Sequence, residues 1–225
     1  MRILYLGTDP SRYVHTGELI HYPVIRTKRC SALDPQVFQC THLLFTSPNA
    51  VRHFFELAPP MHATYLAIGS STAACLAKLE IQTLVAPFAT QEGMIALLDT
   101  LDLQNAFLGW PRSSKARSVI AKYLSHRGIS YFDFDLYETV FQKPEPVPDL
   151  STFDEIVFTS PSTVDAFLEI FGAIPWEKKI VSLGPITDDR LNESISLSSL
   201  LCYEYNPEPK VRIFATEESC DCLQL

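Results

Sequence analysis

No run of apolar residues in this chain approaches the roughly 18 that a membrane-spanning helix needs. The opening MRILYLGTDP has neither the apolar stretch nor the cleavage site of a secretory leader, so a cytoplasmic protein with no membrane partner is expected. A surplus of basic residues is missing too. The formal charge is −8, which argues against nucleic acid as the ligand, because phosphate backbones are met by a basic face. Metal signatures are sparse. The six cysteines (Cys30, Cys40, Cys75, Cys202, Cys220, Cys222) are scattered without CxxC spacing. Cys220 and Cys222 make a CxC, with no second ligand pair in view. Thiols in a reducing compartment stay free and mostly fill apolar space. The six histidines form no HExxH and no HxH, and no metal is expected. GxxxxGK[ST] and GxGxxG are both absent, which speaks against a nucleotide-dependent enzyme. Only 20% of residues are charged and 47% are hydrophobic, so wholesale disorder is excluded. A chain of 225 residues suits one large or two small domains.

What is present is a repeat. Residues 45–57 read FTSPNAVRHFFEL and residues 158–170 read FTSPSTVDAFLEI, identical at seven of thirteen positions. AIGSST (67–72) follows the first copy and SLGPIT (182–187) the second. The spacing is 24 residues from Phe45 to Gly69 and 26 from Phe158 to Gly184. Two motifs at matched spacing mean a duplicated unit. Each copy reads strand, turn, helix, strand, turn, helix. HLLF (42–45) and EIVF (155–158) are short apolar strands. Ser47 and Ser160 stand where N-caps belong, with proline in the first helical turn. Val51, Phe54, Phe55 and Ala58 form one helical face; Val164, Phe167, Leu168 and Phe171 form its counterpart. TYLAI (64–68) and KIVSL (179–183) are the next strands, ended by Gly69 and Gly184.

Between the copies the alternation continues. QEGMIALLDTL (91–101) reads as helix, AFLG (106–109) as strand, SKARSVIAKYLSHRG (114–128) as helix and YFDFDLYETV (131–140) as strand. Alternating elements imply parallel sheets covered on both faces. Two linkers are expected, the basic RTKRCSALDP (26–35) and the proline-rich KPEPVPDLS (143–151). The strand RILYL and the segment LIHYPVI (19–25) are too little for a domain alone and are expected to join the second repeat's sheet. The expected domains are therefore 1–27 plus 143–225 and, inserted between them, 28–142.

The FTSPNAV segment, AIGSSTAACLAKLEI, TQEGMIALL, FLGWPRSSKARSVIAKYLSHRGISYFDFDLYETV, FTSPSTVDAFLEIFG and VSLGPIT, in this order over about 150 residues, resemble uroporphyrinogen-III synthase. The ends depart from that family. YLGTDPSRYVHTGELIHYP leaves little room for the usual first helix, DDRLNESISLSSLL stands where a long helix is usual, and ATEESCDCLQL only faintly matches the last helix. The resemblance implies an α/β fold of two flavodoxin-like domains with parallel sheets, joined by a two-stranded linker, with the active site in the interdomain cleft. It implies a monomeric, cofactor-independent lyase acting on hydroxymethylbilane. This linear tetrapyrrole loses its terminal hydroxyl as water, and its last pyrrole ring is attacked at the substituted carbon and closes inverted through a spiro intermediate. Unguided, the chain closes without inversion, so the enzyme's task is to fix a conformer.

The substrate carries eight carboxylates while the protein is acidic, so local donors rather than net charge must hold it. Helix N-termini at the carboxyl ends of parallel strands supply them. Four Ser/Thr-rich turns stand there: Thr46-Ser47, Ser70-Ser71-Thr72, Thr159-Ser160 and Thr187. Ser47 and Ser160 are read either as caps alone or as caps that also bind carboxylate. Thr72 and Thr187 are read as binders, on position and resemblance together. The Tyr-x-Thr of the family falls on Tyr137, which makes its phenol the candidate donor to the leaving hydroxyl; the plainer reading is a strand aromatic at a sheet edge. Arg112, Lys115 and Arg117, at the expected start of a helix, are read as solvated surface or as propionate partners. Arg12, Arg26, Lys28 and Arg29 are read the same way. A two-lobed binding protein without turnover is the competing reading, and an assay on the bilane separates the two.

Overall fold

The computed structural model describes residues 1–11, 13–30, 32–199 and 213–214, with the side chains of 195–199 and 213–214 left aside. Arg12, Cys202, Cys220, Cys222 and the C-terminal ATEESCDCLQL lie outside the described residues. The chain divides into two compact units, Met1–Arg26 with Val140–Leu225, and Thr27–Thr139.

The unit Thr27–Thr139 is built on a six-stranded sheet. Its spatial order is β3 (Ile25–Arg29), β8 (Ser130–Phe141), β7 (Phe107–Ser113), β4 (His42–Phe45), β5 (Thr64–Ala67) and β6 (Thr83–Val85). From β8 to β6 every pairing is parallel. Helices α1 (Pro48–Phe55), α2 (Ser70–Ala77), α3 (Gln91–Leu98) and α4 (Val119–His126) make the crossovers. From β4 the chain steps outward to β5 and β6; α3 then carries it back past β4 to β7, and α4 on to β8. Right-handed crossovers taken in opposite directions put their helices on opposite faces. The cores record this. Val51, Phe54 and Leu76 pack with Leu43, Phe45 and Tyr65, whereas Met94, Leu98, Ile120 and Leu124 pack with Leu44, Leu66 and Leu108. The direction reverses between β4 and β7, so their carboxyl ends flank a topological switch point, where open α/β sheets bind ligands.

The other unit has a five-stranded parallel sheet ordered β2 (Glu18–His21), β1 (Arg2–Tyr5), β9 (Glu155–Phe158), β10 (Lys179–Ser182) and β11 (Ile213–Phe214). Here the reversal lies between β1 and β9. A Cβ on Gly7 would stand 2.5 Å from Thr159 Cγ2, so the two strand ends come too close for a side chain. Helices α5 (Pro161–Phe171) and α6 (Pro185–Ser199) follow β9 and β10. The crossover from β1 to β2 has no helix among the described residues. The face bearing Ile3, Tyr5, Val157 and Val181 instead has Tyr13 packed against it. The Tyr13 phenol donates to Glu155 Oε1 at 2.5 Å, and Lys179 Nζ stands 2.6 Å from Glu155 Oε2. These partners offset the carboxylate that opens the otherwise apolar EIVF strand.

Three sequence expectations are corrected. Residues 26–29, read as linker, belong to the strand β3. It is an edge strand, and exposed charges such as Arg26, Lys28 and Arg29 suit an edge while hiding the strand pattern. The helix read over 114–128 begins only at Val119. Strand β7 persists to Ser113, whose Oγ accepts from Lys115 N–H at 3.3 Å in a tight turn, so Lys115 and Arg117 precede the helix. The segment after Thr187 is helical to Ser199. Thr187, Leu191 and Ser194 are buried at helical spacing, and Arg190 pairs with Asp165 at 2.8 Å. Among the described residues no helix is long and apolar enough to cross a membrane.

Candidate functional site

Tyr137 owes its orientation to an irregularity in β8. Arg112 stands opposite Asp135, but Ser113 stands opposite Tyr137, so Leu136 and Tyr137 together face one residue of β7. Under strict alternation Tyr137 would share a side with Asp133 and Asp135. The bulge turns it instead to the side of Phe132, Phe134 and Leu136, against α1. There its hydroxyl lies 2.7 Å from Ser47 Oγ, at the helix N-terminus, and also engages the Ser113 hydroxyl. Tyr137 is not half-buried at an edge, as the plainer sequence reading had it, but only 5% exposed. Burial raises its pKa, and the bonds from Ser47 and Ser113 pull the other way without reversing it. The phenol therefore keeps its proton at neutral pH and can donate.

Ser47 is a true cap. Its backbone is extended and its Oγ accepts from Ala50 N–H at 3.0 Å. One hydroxyl thus ties the start of α1 to the phenol of β8. Thr46, one residue back, receives the Trp110 indole N–H at 3.3 Å, which joins the ends of β4 and β7. The sequence reading missed Ser113. Its signal, a hydroxyl at the carboxyl end of β7, was hidden because the strand was read as ending at Gly109.

Ser70, Ser71 and Thr72 do not precede α2 but form its first turn, with Gly69 as the cap residue. Ser70 is exposed and Ser71 partly so. Thr72 is wholly buried, and its Oγ1 has no hydrogen-bond partner. A buried hydroxyl left unpaired costs about 1–3 kcal/mol. Arg112, partly buried on β7, is claimed by Asp133 at 2.8 Å and Asp135 at 3.2 Å, with Trp110 beneath its guanidinium. Arg117 makes a two-pronged pair with Glu92 at 2.9 and 3.1 Å, which holds the Glu92 carboxyl down at about 2. Lys28 pairs with Glu138, and Arg29 with Glu56.

In the other unit, Ser160 occupies the N-cap position of α5 in a lopsided box. Thr163 Oγ1 accepts from the N–H groups of Thr159 and Ser160 at 3.1 and 3.2 Å, while Ser160 Oγ, buried, reaches no full hydrogen bond. Ser160 is the N-cap residue that the sequence assigns, and Thr163 makes the return bonds of the box. Thr187 is buried in the first turn of α6, behind Gly184 at φ 125°. The structure therefore gathers Thr46, Ser47 and Tyr137 around one switch point, keeps Ser70–Thr72 on the neighbouring helix start, and has Ser160 and Thr187 on the matching helix starts of the other sheet.

Known proteins share this α/β fold with parallel sheets. The family model of uroporphyrinogen-III synthase HemD matches residues 13–201. The synthetase of Helicobacter pylori 26695 shares the fold with a TM-score of 0.60 at 19% identity, over 90% of this chain and 100% of that one. A mutant uroporphyrinogen III synthase of the extreme thermophile Thermus thermophilus does so with a TM-score of 0.55 at 20% identity, over 85% and 88%. At such identities the two structures speak for the α/β fold with parallel sheets. The family match spans most of the chain, and this protein belongs to the uroporphyrinogen-III synthase family.

Proposed function

We propose that Tyr137, with Ser47 and Ser113 behind it, receives the leaving hydroxyl of hydroxymethylbilane, and that the helix starts named above hold the substrate's carboxylates. The family's reaction is a cofactor-independent dehydration and cyclisation in tetrapyrrole (heme) biosynthesis. The observation that carries the local assignment is the bulge in β8, which brings a protonated phenol to a helix N-terminus at a switch point. Ring inversion is a matter of conformer, so the strongest demand is on positioning. Phenol, hydroxyl and helix start are all fixed by packing or capping before substrate arrives. The terminal C–O bond breaks as the pyrrole nitrogen's electron pair moves in behind it; Tyr137 steadies the charge on the departing oxygen with a hydrogen bond, solvent water supplies the proton that makes it water, and ring closure later returns a proton to solvent. A phenol is too weak an acid to transfer its proton outright at low cost.

On this reading the enzyme works as a monomer in the cytoplasm, on a small molecule and without nucleic acid. Its two flavodoxin-like domains, 1–27 with 143–225 and 28–142, close on the bilane in the cleft between them, a picture supported by the family resemblance. The test is incubation with freshly made hydroxymethylbilane and chromatographic separation of the type I and type III products. Type III is expected to dominate; type I alone, as in the absence of protein, would remove the assignment.

Thr72 offers a second test. Thr72→Val keeps the shape and deletes the unpartnered hydroxyl. Folding stability should hold or rise, because an unsatisfied buried group is removed. If Oγ1 waits for a substrate carboxylate, KM should rise about tenfold, the size of one lost hydrogen bond to a charged group. Unchanged KM would return Thr72 to the core. Thr187→Ala should likewise raise KM about tenfold.

A further inference from the structure

His53 is a titratable side chain packed beside Tyr137. It sits on α1, and its ring lies 5.4 Å from that of Tyr137 at 33°. The side chain is 14% exposed. Nε2 stands 2.9 Å from Thr27 Oγ1 on β3. Nδ1 is buried without a hydrogen-bond partner and faces Glu56 Oε2 at 3.6 Å, and Glu56 in turn meets Arg29 at 3.4 Å. The repeat sharpens the contrast. His53 aligns with Ala166, which is buried in α5. A small residue suffices for the helix in one copy, so packing alone does not call for an imidazole in the other.

We propose that His53 is the positioning residue for Tyr137, holding the phenol ring against Ser47. This rests on the synthase reading only for its effect on turnover. Both rings are enclosed, so the phenol has one place to go when His53 fills the space beside it. The groups facing His53 are Tyr137 from β8, Thr27 and, through Glu56, Arg29 from β3, and Glu56 from its own helix. Lys28 and Glu138 alternate to the opposite side of the sheet and pair with each other at 3.5 Å.

The test uses the full chain with 3-fluorotyrosine at position 137, and needs no substrate. The fluorine resonance should be alike in the parent and in His53→Phe, which keeps a ring in place, and should shift or broaden in His53→Ala, which opens the space beside the phenol. A resonance unchanged in His53→Ala overturns the proposal whether or not the protein makes type III product. Kinetics form the second arm. His53→Ala should lower kcat for type III formation by about tenfold with KM little changed, and His53→Phe should keep most of the parent rate. In a Tyr137→Phe background the same changes should have less than about a threefold effect, because the group they act through is gone. Equal losses in both backgrounds would show a purely structural role and overturn the proposal. A Tyr137→Phe enzyme as fast as the parent would instead count against Tyr137 as donor, and the fluorine spectrum would still decide whether His53 holds the ring.

Discussion

Tyr137→Phe is expected to slow type III formation by about ten- to a thousandfold, the span of one positioned donor or acid. The substitution removes a single oxygen and leaves the ring in a core that already holds Phe132, Phe134 and Leu136. Two hydroxyls, those of Ser47 and Ser113, lose their shared partner. Each can turn elsewhere, and Ser47 keeps its bond to Ala50 N–H, so the cost to folding should stay near the value of an ordinary hydrogen bond, about 0.5–1.5 kcal/mol. Activity should therefore fall well before stability does. A thermal melt beside the product assay separates them. Full activity with the normal isomer would make Tyr137 a structural aromatic. Complete loss of turnover in a normally folded variant would be equally damaging, since it would demand a dedicated acid rather than a positioned donor.

That experiment reaches a feature that was only half readable in the sequence. The chemistry of Tyr137 came from its place in a Tyr-x-Thr, and nothing in the order YFDFDLYETV announces that alternation slips at Leu136. By period alone, Phe132, Phe134 and Leu136 face one way and Tyr137 the other. The bulge is a property of the paired strand, set by where β7 ends, and β7 runs to Ser113 because PRS continues the ladder past the apolar FLGW. Local signals fared better. Ser47 before Pro48 is a cap in sequence and in structure, since N-cap chemistry is decided within four residues. The same motif before Pro161 placed α5 correctly, with Ser160 as its N-cap, and Thr163 adds bonds back to the N–H groups of Thr159 and Ser160. Position 163 corresponds to Ala50, so the difference between the copies was present in the letters. Strand β3 was missed for the opposite reason. Its identity depends on pairing with β8, shown by Cys30 N–H to Leu136 O at 2.9 Å, and edge strands need no apolar pattern. Helix α6 was missed because its polar run DDRLNES hides a narrow buried stripe under a wide solvated face.

The largest stability effects should come from the pair of phenylalanines that the repeat duplicates. Phe45 and Phe54 meet edge to face, with centroids 5.4 Å apart and rings at 80°; Phe158 and Phe167 do the same at 5.2 Å and 70°. All four rings are fully enclosed, at 0% exposure. In each copy one ring ends a parallel strand and the other rises from the second turn of the following helix, so the contact fixes helix to sheet next to the switch point. Phe54→Ala and Phe167→Ala should each cost about 3–5 kcal/mol, the transfer loss plus the cavity. A domain commonly holds about 5–15 kcal/mol in all, so either variant should lose a large part of its margin. The edge-to-face geometry adds about 0.5–1.5 kcal/mol to the burial. Phe55, only partly buried, should cost visibly less on the same change. Urea unfolding would give the totals. Hydrogen exchange would give the place: protection should fall first in β4, β5 and α1 for Phe54→Ala, and in β9, β10 and α5 for Phe167→Ala. Losses below about 1 kcal/mol, the average for an arbitrary substitution, would mean that the aromatic pairs are not what fastens helix to sheet, and that the repeat preserves them for another reason.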